Sequence, residues 1–254
     1  MSNSASALIL GATGATGKHL LRSLLASNIF TRVGEYGRRV TPEDQVGDYT
    51  KSGKLVQKTI DFEHVADAGL SEGEWDVVYI TLATSRAAAG SAAAFEKIDR
   101  EYVLSAARAA KSQNPTRKQR LVYCSSIGAD ASSSFLYTRS KGLTEQGLAS
   151  IGFDDVIIFR PAFLAQADRE AFRPVEWAVS GISSVLARFS SKIEIPVRTL
   201  GQSMCKAGEL GSAALPPDVK TQTVRFQDAD DKERTFTLLD NVAALKLAAH
   251  AEST

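Results

Sequence analysis

One stretch constrains this chain more than any other: Ala7-Leu8-Ile9-Leu10-Gly11-Ala12-Thr13-Gly14-Ala15-Thr16-Gly17-Lys18. A short apolar run, suited to a strand, enters a loop whose glycines stand three residues apart. Leu20, Leu21, Leu24 and Leu25 then recur at helical spacing and predict a helix over Thr16–Ser27. Strand, glycine loop and helix in this order bring a strand's C-terminal end to a diphosphate. Gly11 permits the tight turn, Gly14 lets the backbone approach the pyrophosphate, and Gly17 lets the helix pack closely on the strand. The helix N-terminus adds free N–H groups and the positive end of its dipole. The plainer reading of such a loop is an ordinary turn. Its place between strand and helix favours the nucleotide.

Strand-like and helix-like stretches alternate beyond it. Arg32–Tyr36, Lys54–Ile60, Asp76–Leu82, Arg120–Ser125 and Asp155–Arg160 read as strands, and Phe95–Lys111 and Tyr137–Ser150 as helices. This order implies an α/β fold, a doubly wound parallel sheet with right-handed crossovers and helices on both faces. Ligands of such sheets bind beyond the carboxyl ends of the strands. After Pro161 the rhythm loosens. Arg173–Phe189 fits an amphipathic helix, packed on its own core or serving as a lid, dimer face or membrane contact. Gln202–Ala214 reads as a helix stopped by Pro216-Pro217, Thr223–Phe226 as a strand and Asn241–Ala251 as a closing helix. Residues 1–254 are expected to form a single domain, with roughly 161–220 contributing a small substrate-side lobe.

A net charge of +1 leaves no global field to recruit nucleic acid. Cys124 and Cys205 form no motif and are expected to be reduced and structural. His19, His64 and His250 share no ligand spacing, so no metal site is read from them. No apolar run reaches membrane-spanning length. The N-terminus lacks a secretory apolar core, and the nucleotide loop begins too early to spare a removable leader. A cytoplasmic location is expected, with peripheral attachment to an organelle surface left open.

Two further constellations carry chemistry. Tyr36-Gly37-Arg38-Arg39 ends the second expected strand, about 20 residues beyond the glycine loop, where an NAD-binding fold places an acid for the adenosine ribose. Two arginines there suit a 2′-phosphate, which guanidinium groups grip with charge-assisted forks, so NADP(H) is favoured over NAD. The alternative is a pair of solvated surface arginines. Glu35 is expected to be a surface residue of the strand. The second constellation is Tyr137-Thr138-Arg139-Ser140-Lys141, preceded by Ser125-Ser126 at a strand end. Positions i and i+4 share a helix face, so Tyr137 and Lys141 point into one cleft. An ammonium beside a phenol stabilises the phenolate and brings its pKa toward neutrality, which makes the pair a usable acid/base. A serine at the adjacent strand end can hold a reacting carbonyl or alcohol. Surface decoration of a helix is the plainer alternative. No Gly-x-Ser-x-Gly turn occurs, and Gly17-Lys18 is followed by His19 where a kinase-like P-loop needs a hydroxyl.

Taken together, the Gly11/Gly14/Gly17 loop, the strand-end serines, Tyr137-x-x-x-Lys141 and Arg160-Pro161 resemble the short-chain dehydrogenase/reductase superfamily in its atypical branch. Asp61-Phe62-Glu63, Thr84-Ser85-Arg86-Ala87-Ala88-Ala89-Gly90, Asp99-Arg100-Glu101-Tyr102, Ser126-Ile127-Gly128-Ala129-Asp130 and Asp168-Arg169-Glu170 sharpen it. They resemble the animal Tat-interacting-protein oxidoreductases and the fungal mitochondrial-surface (Fmp-type) proteins. The likeness runs from about Ala7 to Trp177. It implies a Rossmann fold and an NADPH-dependent oxidoreductase acting on a small carbonyl or alcohol. Gly11, Thr13, Gly14, Ala15, Thr16 and Gly17 would hold the pyrophosphate, and Arg38 and Arg39 the 2′-phosphate. Asp61 and Phe62 would border the adenine, and Leu82, Ala83 and Thr84 would line the ribose path. Pro161, Ala162 and Phe163 would meet the nicotinamide end; Ser125 is also assigned to cofactor binding, and Ser126 matches the substrate-binding serine slightly better than Ser125. Ser126, Tyr137 and Lys141 would be catalytic, with Lys141 also binding the nicotinamide ribose. Asp99 stands where many members carry a relay asparagine. The resemblance also admits a non-catalytic NADP(H)-binding regulator acting through a protein partner, and isomerisation or epimerisation with the cofactor recycled. Peripheral association with the mitochondrial outer membrane and a homodimer stay open.

Overall fold

Side chains alternate along β1 (Ala5–Leu10), with Ala7 and Ile9 to one side and Leu8 and Leu10 to the other; all four are fully buried. A strand with no polar face needs cover above and below, which is the situation of a central strand in a parallel sheet. The computed structural model describes residues 4–165 and 194–252. The helix expected over Arg173–Phe189 and the Asp168-Arg169-Glu170 motif lie outside the described residues.

After β1 the strands are β2 (Phe30–Gly37), β3 (Leu55–Thr59), β4 (Val77–Ile80), β5 (Arg120–Cys124), β6 (Asp155–Arg160), β7 (Phe163–Ala165), β8 (Glu194–Pro196), β9 (Gln222–Gln227) and β10 (Glu233–Asp240). Eight of them form one sheet in the order β3-β2-β1-β4-β5-β6-β10-β9, parallel except for β9, while β7 and β8 pair separately. The helices are α1 (Gly17–Ala26), α2 (Glu43–Lys51), α3 (Arg86–Ala89), α4 (Ala92–Glu96), α5 (Tyr102–Ala110), α6 (Leu136–Ser150), α7 (Val197–Leu210) and α8 (Asn241–Glu252). Leu20 and Leu24 of α1, Leu200 and Met204 of α7 and Leu247 of α8 cover the face of Ile9, Tyr79 and Val122. Val103, Ala106 and Ala110 of α5, Leu148 of α6 and Trp75 cover the face of Leu10, Ile80 and Tyr123. The result is a doubly wound, Rossmann-like sheet. Its register sets Tyr36 beside Leu10, Leu10 beside Ile80, Ile80 beside Tyr123, Cys124 beside Phe159 and Arg160 beside Asp240. The C-terminal ends of these strands therefore share one edge.

Several elements differ from the sequence-based expectation. The helix expected over Phe95–Lys111 is broken into α4, a π-helical turn at Lys97–Glu101, and α5. The helix expected at Gln202–Ala214 begins earlier, after Pro196, and ends at Gly211, whose φ of +80° breaks it before a short 3₁₀ turn. β10 and α2 have no counterpart in the sequence reading. β10 opens on Glu-Arg, which masks the buried Phe236, Leu238 and Leu239 behind them. In α2 only Val46 is buried, so no apolar stripe announces it. Among the described residues no helix is long and apolar enough to cross a membrane.

α7 docks through two glycines seven residues apart. A Cβ at Gly201 would fall 2.7 Å from the backbone nitrogen of Leu20, and one at Gly208 would fall 1.7 Å from Tyr79 Oη. Tyr79 is fully buried and its hydroxyl donates to the Cys205 carbonyl (3.2 Å), so it has no room to yield. Gly208→Ala is therefore expected to destabilise the fold by about 1–3 kcal/mol, read as a lowered midpoint in chemical denaturation. Both cysteines are free thiols. Burial pushes the Cys124 thiol up to about 11, against a weaker opposite pull from Lys141. Burial and then the nearby Glu209 carboxylate hold Cys205 well above the usual thiol range. A raised pKa keeps the proton on and suppresses the reactive thiolate. Neither thiol should be alkylated by iodoacetamide at neutral pH in the native protein, and both should be after unfolding, as read by mass spectrometry.

Candidate active site and dinucleotide cradle

Gly11 leaves β1 at φ +93°, and its carbonyl accepts from Gly14 N (3.0 Å) and Thr81 Oγ1 (3.1 Å). Gly17 is pressed against this turn: a Cβ there would fall 2.0 Å from the Gly11 oxygen and 2.8 Å from Thr81 Oγ1. The helix can begin here only because the residue has no side chain. Gly14 is exposed on the loop between them. Among the described residues, the backbone N–H groups of Thr13, Ala15, Thr16 and Gly17 have no backbone acceptor. Those of Thr16 and Gly17 are orphan donors of the helix start, the kind of group that suits an anion.

At the end of β2, Arg38 and Arg39 are exposed, and no hydrogen bond or ion pair is seen for either among the described residues. Glu35 corrects the expectation of a surface residue, being only 1% exposed. Its Oε1 accepts from Thr41 N and Thr41 Oγ1, both at 2.7 Å, and its Oε2 from Gln57 Nε2 at 2.7 Å. Gln57 Nε2 also donates to the Thr41 carbonyl (2.8 Å). The carboxylate is thus spent on the loop that carries the arginines. The sequence reading missed it because its burial depends on how the loop folds back through Thr41 and on Gln57 of the next strand.

The exits of β5 and β6 are fastened together. Ser125 N donates to the Phe159 carbonyl (2.8 Å) and Ile127 N to the Pro161 carbonyl (2.9 Å). The loop running from Ser126 to Asp130 is held to α6 in turn, since Asp130 N donates to the Thr138 carbonyl (3.0 Å). A Cβ at Gly142 would fall 2.1 Å from Ala131 N, so α6 rides directly on this loop. These contacts bring Ser126 and the first turn of α6, with Tyr137, to the same edge of the sheet. Tyr137 is half-buried, its ring 6.0 Å from that of Phe95.

The two serines separate. Ser125 Oγ donates to Glu145 Oε1 (2.5 Å), a buried carboxylate that also takes Arg160 Nε (2.9 Å) and a second Arg160 nitrogen (2.5 Å). Ser125 is thereby tied to the framework. Among the described residues, Ser126 Oγ has only a long contact to the Ile127 carbonyl (3.3 Å). Lys141 is 1% exposed; its Nζ lies 2.9 Å from Asp99 Oδ1 and donates to Tyr123 Oη (3.2 Å). Burial lowers the proton affinity of Lys141, but Tyr123, Asp99 and Tyr137 more than offset this and hold it well above the usual lysine range.

Of the remaining expected residues, Asp61 is exposed and caps the following turn by accepting from Glu63 N (3.0 Å). Phe62 is buried, stacked on Tyr102 at 5.6 Å. Leu82 and Thr84 are half-buried and Ala83 exposed, just beyond β4. Pro161 and Ala162 follow β6 and Phe163 opens β7. Sequence reading missed Asn241, whose Oδ1 accepts from Ala162 N (3.3 Å). It also missed Glu145 and Tyr123; Glu145 stands one turn beyond Lys141, and that spacing was its only sequence signal. A cleft of about 310 Å³ lies between Gly152–Val156 and Glu233–Thr237, at the N-terminal ends of β6 and β10 and so at the opposite edge.

A family model described as NAD(P)H-binding matches residues 11–183. Protein HTATIP2 of Rattus norvegicus is 37% identical over 201 residues, covering 78% of this chain and 79% of that protein. The mitochondrial protein fmp52 of Emericella nidulans is 32% identical over 191 residues, covering 75% and 79%. Among solved structures, the carbonyl reductase Sniffer of D. melanogaster aligns with a TM-score of 0.55 at 14% identity, over 83% of this chain and 94% of that one. UDP-glucuronic acid 4-epimerase from Bacillus cereus, in complex with NAD, aligns with a TM-score of 0.55 at 15% identity, over 81% and 73%. At such identities the solved structures speak for the fold alone. Family model, relatives and fold agree: the chain belongs to the NAD(P)H-binding family, as a homologue of HTATIP2 and the fungal fmp52 proteins built on the fold of the short-chain dehydrogenases/reductases.

Proposed function

We propose that this protein is an NADPH-dependent oxidoreductase that reduces a carbonyl compound to the alcohol. The observation that carries the reading is the clasped Ser126–Asp130 loop, which sets Ser126 and Tyr137 on the edge that also bears the glycine cradle. The residues present suit the dinucleotide. The orphan N–H groups of the cradle suit a pyrophosphate, and the two exposed guanidinium groups after β2 suit a 2′-phosphate. Bound NADPH supplies the hydride. Ser126 Oγ orients the carbonyl oxygen, and Tyr137 donates its phenolic proton to that oxygen as negative charge builds there. Lys141, one turn along the same helix face, stabilises the phenolate left behind. An ammonium has three donors; Tyr123 accepts one and Asp99 pairs with the charge, which leaves a donor for a ribose hydroxyl. A substrate-side lobe from roughly residues 161–220 is part of this proposal, α7 excepted, since α7 packs on the sheet face beside α1. The fungal relatives are named mitochondrial, which supports a mitochondrial location; attachment at the outer membrane is part of the proposal.

A second reading, an NADP(H)-binding regulator without turnover, is favoured by one observation: Asp99 already engages the ammonium that a proton donor would use. Turnover decides between them. NADPH should bind at least about tenfold more tightly than NADH in fluorescence titrations, and Arg38→Ala with Arg39→Ala should erase most of that preference. Equal affinities in the wild type would remove the 2′-phosphate assignment. Across a panel of aldehydes and ketones, Tyr137→Phe should slow NADPH oxidation by about 10²–10⁴-fold while leaving NADPH affinity nearly unchanged. Equal rates would sink Tyr137 as the donor, and tight NADPH binding with no turnover on any substrate would select the regulator.

A further inference from the structure

Asp99 lies in the π-helical turn between α4 and α5 and is fully buried. Such turns insert one extra residue into a helix and occur frequently at functional sites. Its Oδ1 sits 2.9 Å from Lys141 Nζ, yet the approach is that of an ion pair rather than an aligned hydrogen bond, and Oδ2 has no partner among the described residues. Glu35 and Glu145, the other two buried glutamates or aspartates at this edge, are each held by several donors. Among the described residues Asp99 has only Lys141. A carboxylate left this poorly hydrogen-bonded in the interior is costly as structure alone.

The groups facing Lys141 come from three elements. Tyr123 and Cys124 belong to β5, Asp99 to the π turn, and Tyr137 stands one turn back on α6. Burial pushes both Tyr123 and Cys124 up, so both stay neutral at physiological pH. Glu145, one turn on, is already taken by Arg160 and Ser125. Asp99 is therefore the anion available to Lys141 among the described residues. A lysine removed from water without a counter-ion discharges.

We infer that Asp99 is a positioning residue: as the buried counter-ion of Lys141 it keeps that ammonium charged in the interior, ready to donate to the dinucleotide ribose and to Tyr137. An asparagine could align Lys141 but could not hold its charge. Only the last step, toward ribose and phenol, rests on the function proposed above; the charge relation between Asp99 and Lys141 does not.

The test uses the full chain with labelled lysine side chains, followed by NMR through a pH titration, with the Lys141 signal identified by its loss in Lys141→Arg. In the wild type Lys141 should remain protonated while exposed lysines titrate. In Asp99→Asn it should lose its proton lower, by on the order of one pH unit or more. An unchanged Lys141 titration overturns the inference. NADPH affinity, flat through mildly alkaline pH in the wild type, should weaken in Asp99→Asn as Lys141 discharges. A shifted Lys141 with an unmoved affinity profile would overturn the link to the dinucleotide. If neither protein binds NADPH at all, the cofactor reading falls, while the Lys141 titration still decides this one. Should Asp99→Asn fail to fold, Asp99→Asn combined with Lys141→Met removes both charges. Recovery of folding in the double variant supports the pairing, and its failure as well overturns it.

Discussion

The contact between Gly11 and Gly17 leaves no space for a single methyl group, and much of the molecule is organised outward from it. Because α1 starts against the end of β1, its apolar stripe falls across the sheet face of Ile9. Because α1 lies there, α7 can approach it only where Gly201 admits the backbone of Leu20, and Gly208 then admits Tyr79 from β4. Close approach is passed from loop to helix to helix to sheet. Interiors packed this tightly transmit displacement, so the geometry of the cradle and the packing of the far face are one constraint.

The edge where the strands end is held by charge rather than by apolar packing. Glu35 fastens the loop after β2, and Glu145 fastens the exits of β5 and β6 through Ser125 and Arg160. Both carboxylates are buried and well supplied with donors, the condition under which an interior charge is tolerated. Asp99 is buried without that supply and faces one lysine. The contrast separates two uses of a buried acid. Two stiffen the frame around the site, and the third sets the charge of a residue within it. Under the proposed function, stiff loops matter because Ser126 and the Arg38-Arg39 pair would have to keep their distances from the cradle.

Much of the frame was legible in the chain. Strands β1, β4, β5 and β6 are covered on both sides and so read as continuous apolar runs, and α1 carries a clear leucine stripe. The glycine loop declares itself because its backbone positions exclude side chains, a demand that only one residue type meets. β10 was illegible, since half of it lies toward the sheet's polar margin beside β9, where charged residues are tolerated. The break in the Phe95–Lys111 helix was hidden for another reason. Its composition is that of an ordinary helix, and the π turn answers to a partner, Lys141, in a different helix.

By itself the sequence determined the strand–loop–helix cradle, the doubly wound alternation and the pairing of Tyr137 with Lys141 on one helix face. All of these follow from spacing within a few residues. Only the tertiary structure decided that Glu35 is buried beneath the arginine loop, that Ser125 serves the frame and leaves Ser126 less engaged, and that Lys141 is bound to Asp99. Local periodicity fixes which way a side chain points. Burial and the choice of partner belong to pairs of residues far apart in the chain, and they exist only once the sheet has brought its strand ends together.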